Sequence, residues 1–255
     1  MLKRFLFPLF AAVPAVALLG VAHSAPGPKD PPAIKTPDGG VAVEAVAASG
    51  DEAERLIAVS QNNLKQIAIA VHNYCDVNNG KFPNDITGKD GKPLLSWRVR
   101  LLPYMEADNL YKQFKLDEPW DSENNKKLLG QMPKTFASPR VKVREAGHTV
   151  YLGFSGPGAA FQTGKELAFP ASFTDGTSNT ILAVESSTAF PWTRPIDLPF
   201  DPKTDPPAFG KAYGNKPQCA LCDGSVRTLD LDKVSAITMK AAITTNGGDV
   251  LGSDW

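Results

Sequence analysis

Apolar and polar positions recur with a helical period over residues 49–83, and this stretch predicts one long amphipathic helix. Its apolar side chains lie at intervals of three, four and seven and share one face: Ile57, Leu64, Ile67, Val71 and Tyr74. About 26 helical residues would extend roughly 39 Å at 1.5 Å per residue. Because one face of so long a helix is apolar, it requires a sheet or a partner to cover it.

Both ends of this helix are marked in the sequence. Ser49 and Glu52 have the spacing of a capping box, and Asp51 adds negative charge at the positive end of the helix dipole. Residues 78–80 (Asn-Asn-Gly) offer a left-handed residue that ends a helix, and Pro83 prevents the helix from restarting.

The rest of the chain changes from helical to strand-like patterns. Residues 97–114 and 121–129 predict further helices, and from residue 133 short apolar runs are broken by glycine and proline. A closing helix is expected within residues 231–243. Helices followed by strands are typical of an α+β fold. We therefore predict a long N-terminal helix packed on a mainly antiparallel sheet, with helical insertions at 97–132.

The N-terminal residues have the pattern of a targeting segment. A charged start, an apolar core and a small-residue exit before Ala25 predict a secretory signal peptide over residues 1–24. The alternative is an uncleaved membrane anchor. Residues 25–48 are rich in proline and glycine and are interpreted as a linker, and residues 49–255 as a single domain. Cleavage would leave no stable membrane span and an extracytoplasmic protein, either periplasmic, on the cell surface or secreted.

Composition narrows the class of partner. The 255-residue chain has 27 Lys plus Arg and 27 Asp plus Glu, so no net field favours a nucleic acid. The 22 prolines and 21 glycines favour short strands and many loops over a helical bundle. Residues 191–217 are accordingly predicted to be a long surface loop.

Candidate ligand-binding residues lie in that loop. Trp192 stands between Pro191 and Thr193, where an exposed indole would suit sugar stacking, whereas Trp97 and Trp120 are expected in the core. Asp197 and Asp201 recur four residues apart and could bind a ligand. The alternative is that these carboxylates bond their own backbone in Asx turns.

Six blocks of the sequence resemble one bacterial family and follow one another in the order seen in that family. They are NNLKQIAIAVHNY (62–74), SWRVRLLPYME (96–106), LDEPWDSENNKKLL (116–129), TDGTSNTILAVE (174–185), PWTRPIDLPFDP (191–202) and CDGSVRTL (222–229). They are similar to the domain of unknown function 1559 family, which also carries a solute-binding-protein-like label. The resemblance covers roughly residues 55–250 and implies a body like that of type IV pilins or pseudopilins. The Gly-Phe-Thr-Leu-x-Glu prepilin motif of many members is replaced here by a secretory signal and linker.

The resemblance also bears on metal and cysteine sites. Pseudopilins of the related type often hold calcium in a C-terminal loop, and Asp175 and Asn179 offer oxygen donors for Ca²⁺ here. Asx-turn chemistry is the alternative for these two residues. Other branches of the family often have cysteines where Ser60 and Ser138 stand, so a family-type cysteine pair is not available to this chain.

Three cysteines remain, and two of them have CxxC spacing. Cys219 and Cys222 lead into a strand instead of opening a helix, and a second CxxC or HxxxH for zinc is missing from the sequence. Export and a pilin-like fold instead predict at most one disulfide, between Cys75 and either Cys219 or Cys222, and the alternative is that the cysteines are buried structural thiols. A disulfide between Cys219 and Cys222 would favour thiol-redox chemistry.

The sequence leaves two functional hypotheses. The first is an exported, non-catalytic protein with a structural or interaction role, whose partners are other envelope proteins. The second is an extracytoplasmic module that binds a small solute or a glycan. An enzyme is disfavoured because Ser155 in GFSGPG does not match Gly-x-Ser-x-Gly, and no cofactor is expected apart from calcium at Asp175.

The mature protein is predicted to begin at Ala25. N-terminal sequencing of the protein recovered outside the cytoplasm should therefore read Ala-Pro-Gly-Pro. A membrane-bound form that retains Met1 would instead support the uncleaved anchor.

Overall fold

The computed structural model describes residues 35–36, 38–162 and 164–255. The predicted signal peptide and the first part of the predicted linker lie outside the described residues. Within the described part the helices are α1 Asp51–Val77, α2 Trp97–Arg100, α3 Asp108–Tyr111, α4 Glu123–Lys126 and α5 Ala236–Ile243. The strands are β1 Val41–Ala42, β2 Glu44–Ala45, β3 Ile86–Thr87, β4 Pro93–Leu95, β5 Val141–Lys142, β6 His148–Leu152, β7 Phe154–Ser155, β8 Ile181–Pro191, β9 Leu198–Pro199, β10 Gln218–Leu221 and β11 Val226–Thr228.

The fold is α+β, as predicted, and strand β8 is its centre. β8 pairs antiparallel with β6, β10 and β1, and β10 pairs antiparallel with β11. Two short parallel strands, β7 and β9, lie outside this sheet. Nearly all of β8 is buried, because α1 covers one face of the sheet and α5 packs into the hydrophobic cluster on the other.

Helix α1 has the predicted apolar face. Leu64, Ile67 and Val71 are fully buried, whereas Ile57 and Tyr74 are only partly buried. The remaining buried positions of the helix are mostly small and suit close packing against β10: Leu56, Ser60, Ala68, Ala70 and Cys75. The helix thus lies on the sheet through a face that combines large apolar and small residues.

The structure confirms the predicted C-terminal end of α1 but not the predicted N-terminal cap. The C-terminal end is confirmed, since Asn79 and Gly80 have φ angles of 56° and 73°. The predicted capping box is wrong, because Gly50 is the N-cap and no side chain caps the helix. Glu52 bonds Arg55 through both carboxylate oxygens at 2.9 and 2.6 Å, so its carboxylate does not reach back to the backbone.

The helical insertions at 97–132 are shorter than predicted. Pro103 lies in a 3-10 turn, and Glu106 has a φ of 57°, which an α-helix does not tolerate. The predicted helix at 97–114 is therefore divided into α2, the 3-10 turn and α3. Ser122 does cap α4, its hydroxyl accepting from the Asn125 N–H at 3.2 Å.

The predicted linker ends too late in the sequence. Val41 and Ala42 pair with Ala189 and Thr188 of β8, and Val41 is 1% exposed. β2 pairs with β5 in the same region. Residues 41–45 belong to the folded body because residues 41–42 pair with β8 and residues 44–45 pair with β5, and local composition reveals neither pairing.

The prediction that residues 191–217 form a long surface loop is also wrong. This segment contains β9 and a 3-10 turn at Lys211–Tyr213, and its aromatic residues Trp192, Phe200 and Phe209 are all buried. Its prolines mark irregular backbone, but irregular backbone can still lie in the core.

No helix in the described part of the chain has the length and apolarity needed to cross a bilayer.

Replacing Ile67 by alanine should destabilise the fold by about 2 to 5 kcal/mol, because the buried side chain would leave a cavity between α1 and the sheet. The control is Gln66→Ala on the exposed face, which should change the free energy of unfolding by less than about 0.5 kcal/mol. Urea denaturation of both variants measures the difference, and equal losses would mean that the packed face of α1 is misassigned.

Candidate functional site

A buried ion pair joins α2 to the segment after β8. The Arg98 guanidinium donates to Asp197 Oδ1 at 2.7 Å, and both side chains are almost fully buried, with 1% and 2% exposure. The guanidinium also donates to the Tyr151 carbonyl oxygen at 3.2 and 2.7 Å and to Ser96 Oγ at 2.8 Å. Arg98 is thus held by the backbone of the central sheet as well as by a carboxylate.

Asp197 has its own full set of donors. Its Oδ1 accepts from the Gly153 N–H at 2.8 Å in addition to Arg98, and its Oδ2 accepts from Trp97 Nε1 at 2.9 Å. The prediction that Asp197 binds a ligand is therefore wrong. Buried charge requires compensation, and the protein supplies all of it from α2 and the sheet.

Asp85 is a second carboxylate near this pair. Its Oδ1 accepts from the Trp97 N–H at 2.9 Å, and the side chain borders a small cavity with Asn84, Ser155 and Gln162. Burial raises the pKa of Asp85 to about 7, and the negative charge of Asp197 adds to the shift; Arg98 and Arg100 oppose it. Among the residues that the structure describes, Asp85 is thus a carboxyl group whose charge changes near neutral pH.

A third polar cluster surrounds Glu185 in the middle of β8, where the side chain is 0% exposed. Glu185 Oε1 accepts from Ser60 Oγ at 2.6 Å and from Ser138 Oγ at 2.9 Å. Glu185 Oε2 is paired with Arg140 and accepts from the Gln218 N–H at 2.9 Å. Ser60 of α1 and Ser138 thus meet at one carboxylate oxygen.

Aromatic hydroxyls complete the Glu185 cluster. The Tyr151 hydroxyl lies 2.8 Å from Ser60 Oγ, and the Tyr213 ring lies under the Arg140 guanidinium at 4.9 Å. Burial raises the pKa of Tyr151 to about 12, and the negative charge of Glu185 adds to that shift. Both phenols therefore stay protonated at neutral pH, because the same causes raise the pKa of Tyr213 well above its usual value.

Trp192 does not form a sugar-stacking surface. It is 0% exposed, stacks on Phe136 with ring centroids 5.8 Å apart, and donates from Nε1 to the Leu129 carbonyl oxygen at 3.1 Å. The ligand-binding prediction for Trp192 is wrong because the segment that contains it enters the core. Trp97 is buried, as expected, and Trp120 is partly buried.

Asp175 holds the C-terminal turn. Its Oδ2 accepts from the Gly247 N–H at 2.7 Å and its Oδ1 from the Gly248 N–H at 2.9 Å. Asn179 donates from Nδ2 to the Asp175 carbonyl oxygen at 2.8 Å. The Asp175 carboxylate therefore bonds backbone 72 and 73 residues away instead of forming the local Asx turn considered as the alternative to calcium, whereas the Asn179 bond is local. Across the described residues no group of three or more His, Cys, Asp or Glu could hold a metal ion.

Asp201 is the predicted ligand residue that remains at the surface. Its Oδ1 accepts from the Lys203 N–H at 2.9 Å, and it borders a hollow of about 320 Å³ with Asp205 and Pro207. Asp205 and Pro207 also line a neighbouring groove of about 540 Å³, here called the Pro206 groove. Its lining is mostly apolar: Pro206, Pro207, Ala208, Phe209, Leu231, Val234, Ala236 and Met239, with Asp205, Gly210, Lys211 and Asn215.

The three cysteines are free thiols buried on two faces of the sheet. Cys75 and Cys222 belong to the core under α1, whereas Cys219 belongs to the core under α5. Burial raises the pKa of Cys75 to about 11 and that of Cys219 to about 12. Burial likewise raises the pKa of Cys222 well above its usual value, so all three remain thiols at neutral pH.

Sequence reasoning missed Glu185, Arg98 and Asp85. The clue for Glu185 was a charged residue inside the apolar run that became β8. Arg98 gave a similar clue, because it lies between two apolar residues that are fully buried, Trp97 and Val99. Asp85 gave no such clue, since an Asn-Asp pair after a proline is ordinary turn sequence.

A comparison with protein-family models found one match: residues 58–205 match a family described as "Protein of unknown function (DUF1559)". The matched range contains Ser60, Arg98, Glu185 and Asp197. The searches of curated proteins and of solved structures found no match.

The Asp85→Asn variant should change how stability depends on pH. Because the pKa of Asp85 is raised in the folded state, its contribution is fully present below about pH 4 and is lost as the pH rises through 7. Melting temperatures measured from pH 4 to 8 should therefore fall more in the wild type than in Asp85→Asn.

The matched control is Asp90→Asn on the β3–β4 turn. Lys92 lowers the pKa of Asp90 through a side-chain hydrogen bond, so Asp90 is ionised throughout pH 5 to 8. Asp90→Asn should run parallel to the wild type in that range. A parallel curve for Asp85→Asn as well would contradict the raised pKa.

Proposed function

The chain belongs to the DUF1559 family of proteins of unknown function, and we propose that it is an exported, non-catalytic interaction protein. Its partner would be an apolar segment of another envelope protein, bound in the Pro206 groove. The observation that carries this proposal is the groove itself, where apolar side chains of the Asp205–Gly210 segment and of the α5 region face open space. Export is supported by the signal-like residues 1–24.

The state of the buried polar groups supports a non-catalytic role. Catalytic acids and nucleophiles need free, correctly poised groups. Here Asp197 and Glu185 are each paired with an arginine and hold further protein donors. Asp85 has a pKa of about 7, but the cavity that it borders has a volume of only about 10 Å³, which is too small for a substrate. The raised pKa values of the three thiols leave little thiolate for nucleophilic or redox chemistry.

The surface next to the groove supports a protein partner. Ile237 follows the groove-lining residue Ala236 in the first turn of α5, and its side chain is 79% exposed. An exposed apolar side chain next to a groove-lining residue suits an extended segment better than an enclosed small solute. The groove's aromatic residue, Phe209, is 3% exposed and offers little ring surface to a sugar.

The second candidate is a module that binds a small solute or a glycan. The volume of the Pro206 groove, about 540 Å³, lies within the range of small-molecule sites. Asp201, Asp205, Lys211 and Asn215 could supply polar contacts at its rim. A melting-temperature screen of the mature chain against sugars and small solutes separates the two candidates, since a ligand of the folded state raises the melting temperature.

Site-specific photo-cross-linking in the native cells tests the interaction proposal. A photoreactive amino acid at Ala208, an exposed residue of the groove, should give one recurrent cross-linked protein. Ile237→Asp should abolish the product while leaving the melting temperature within a few degrees, because aspartate is favourable in the first turn of a helix. Val250→Asp is the matched control, since Val250 is 87% exposed and, unlike Ile237, does not adjoin a groove-lining residue in the sequence.

The cross-link should therefore survive Val250→Asp and disappear with Ile237→Asp. A product that both variants retain, or the absence of a product, would contradict the proposal. A sugar or solute that raises the melting temperature of the wild type but not of Ile237→Asp would favour the second candidate instead.

A further inference from the structure

Two of the three thiols share one core, and they come from distant parts of the chain. Cys75 lies in the last turn of α1, and Cys222 directly follows β10. Both are buried in the cluster between α1 and the sheet, with 2% and 1% exposure. Cys219, at 0% exposure, belongs to the cluster on the α5 side of the sheet. The sheet therefore separates Cys219 from Cys75.

A direct contact fixes the position of Cys222 against α1. His72 Nε2 lies 2.7 Å from the Cys222 carbonyl oxygen. His72 and Cys75 are three residues apart on the helix, a spacing that makes side chains neighbours on one surface. Gly224, in the turn after Cys222, also lies near the helix, since a Cβ atom there would be 3.5 Å from His72 Cε1.

We propose that Cys75 and Cys222 form one intramolecular disulfide when the chain folds in an oxidising compartment, with Cys219 left as a thiol. Of the two pairings that the sequence left open, the structure favours this one because the cysteines share a core and a contact surface. The proposal concerns a covalent site, independent of what the Pro206 groove binds. Burial is the main cause of the raised pKa of Cys222, and the proximity of Cys75 adds to it.

The reaction is a thiol–disulfide exchange. A thiolate of one cysteine attacks a donor disulfide and forms a mixed disulfide, releasing one donor thiol. The second cysteine then attacks that mixed disulfide, forming the Cys75–Cys222 sulfur–sulfur bond and releasing the second donor thiol. The two cysteines lose two electrons and two protons, and the donor disulfide is reduced to two thiols.

The bond should form during folding and not afterwards. In the folded chain both thiols are buried, and their raised pKa values leave little thiolate to attack a donor. In the unfolded chain the thiols are exposed and have ordinary reactivity. A donor disulfide added to already folded, reduced protein should therefore react far more slowly than one present during refolding.

Oxidative refolding of the mature chain tests the proposal, with glutathione disulfide and glutathione as the redox pair. After alkylation, peptide mapping by mass spectrometry should find Cys75 linked to Cys222 and Cys219 alkylated. Cys219→Ala should retain the bridge, whereas Cys75→Ala and Cys222→Ala should each lose it. Three alkylated cysteines, or a bridge that includes Cys219, would overturn the proposal.

Thermal unfolding gives a second measurement, and it does not require that the single variants Cys75→Ala and Cys222→Ala fold. The bridge would close a loop of about 150 residues, and a loop of that size raises the melting temperature by roughly 10 °C in the chain-entropy model. Dithiothreitol should thus lower the melting temperature of oxidised wild type and of Cys219→Ala but not of the Cys75→Ala/Cys222→Ala double variant. An equal effect of dithiothreitol on all three proteins would also overturn the proposal.

Discussion

The central sheet depends on the hydrogen bonds and the ion pair of the buried Glu185 carboxylate. This carboxylate lies in the middle of β8, where α1 covers the sheet, and a charge there is tolerated only if the surrounding protein neutralises it. Its donors come from α1, from residues 138–140 and from the start of β10. These three segments must therefore be in place together, which couples the docking of the long helix to the closing of the sheet. The Arg98–Asp197 pair does the same for α2 and the segment after β8.

The sequence predicted well those elements that depend on near neighbours. The apolar face of α1 and its C-terminal end at residues 78–80 follow from local periodicity and turn residues, and the structure confirms them. Residues 41–45 and Trp192 were misread for the same reason. Proline-rich composition describes local backbone, whereas the pairing of residues 41–42 with β8 and the packing of Trp192 on Phe136 depend on residues that are distant in the sequence.

The hydrogen-bond partners in the polar clusters could not be predicted from local sequence. Glu185 is bonded to residues 125 and 47 positions away, and Asp197 to one 99 positions away. A lone sequence shows that a charge lies in an apolar run, but it does not show which distant donors meet it. Cys222 illustrates the same point. Strand geometry indicates only that Cys219 and Cys222 point to opposite faces of the sheet, and it does not show which of them lies against His72.

The short strand β1 also determines how the protein would respond to mechanical load. Any pull on the chain before residue 41 reaches the central strand through β1, whose pairing with β8 comprises Val41 with Ala189 and Ala42 with Thr188. Helix α1 follows in sequence and is held by a much larger buried face. Under tension from the N-terminal side β1 would therefore detach first. That release would lengthen the connection to the folded body while α1 and the Pro206 groove stay intact.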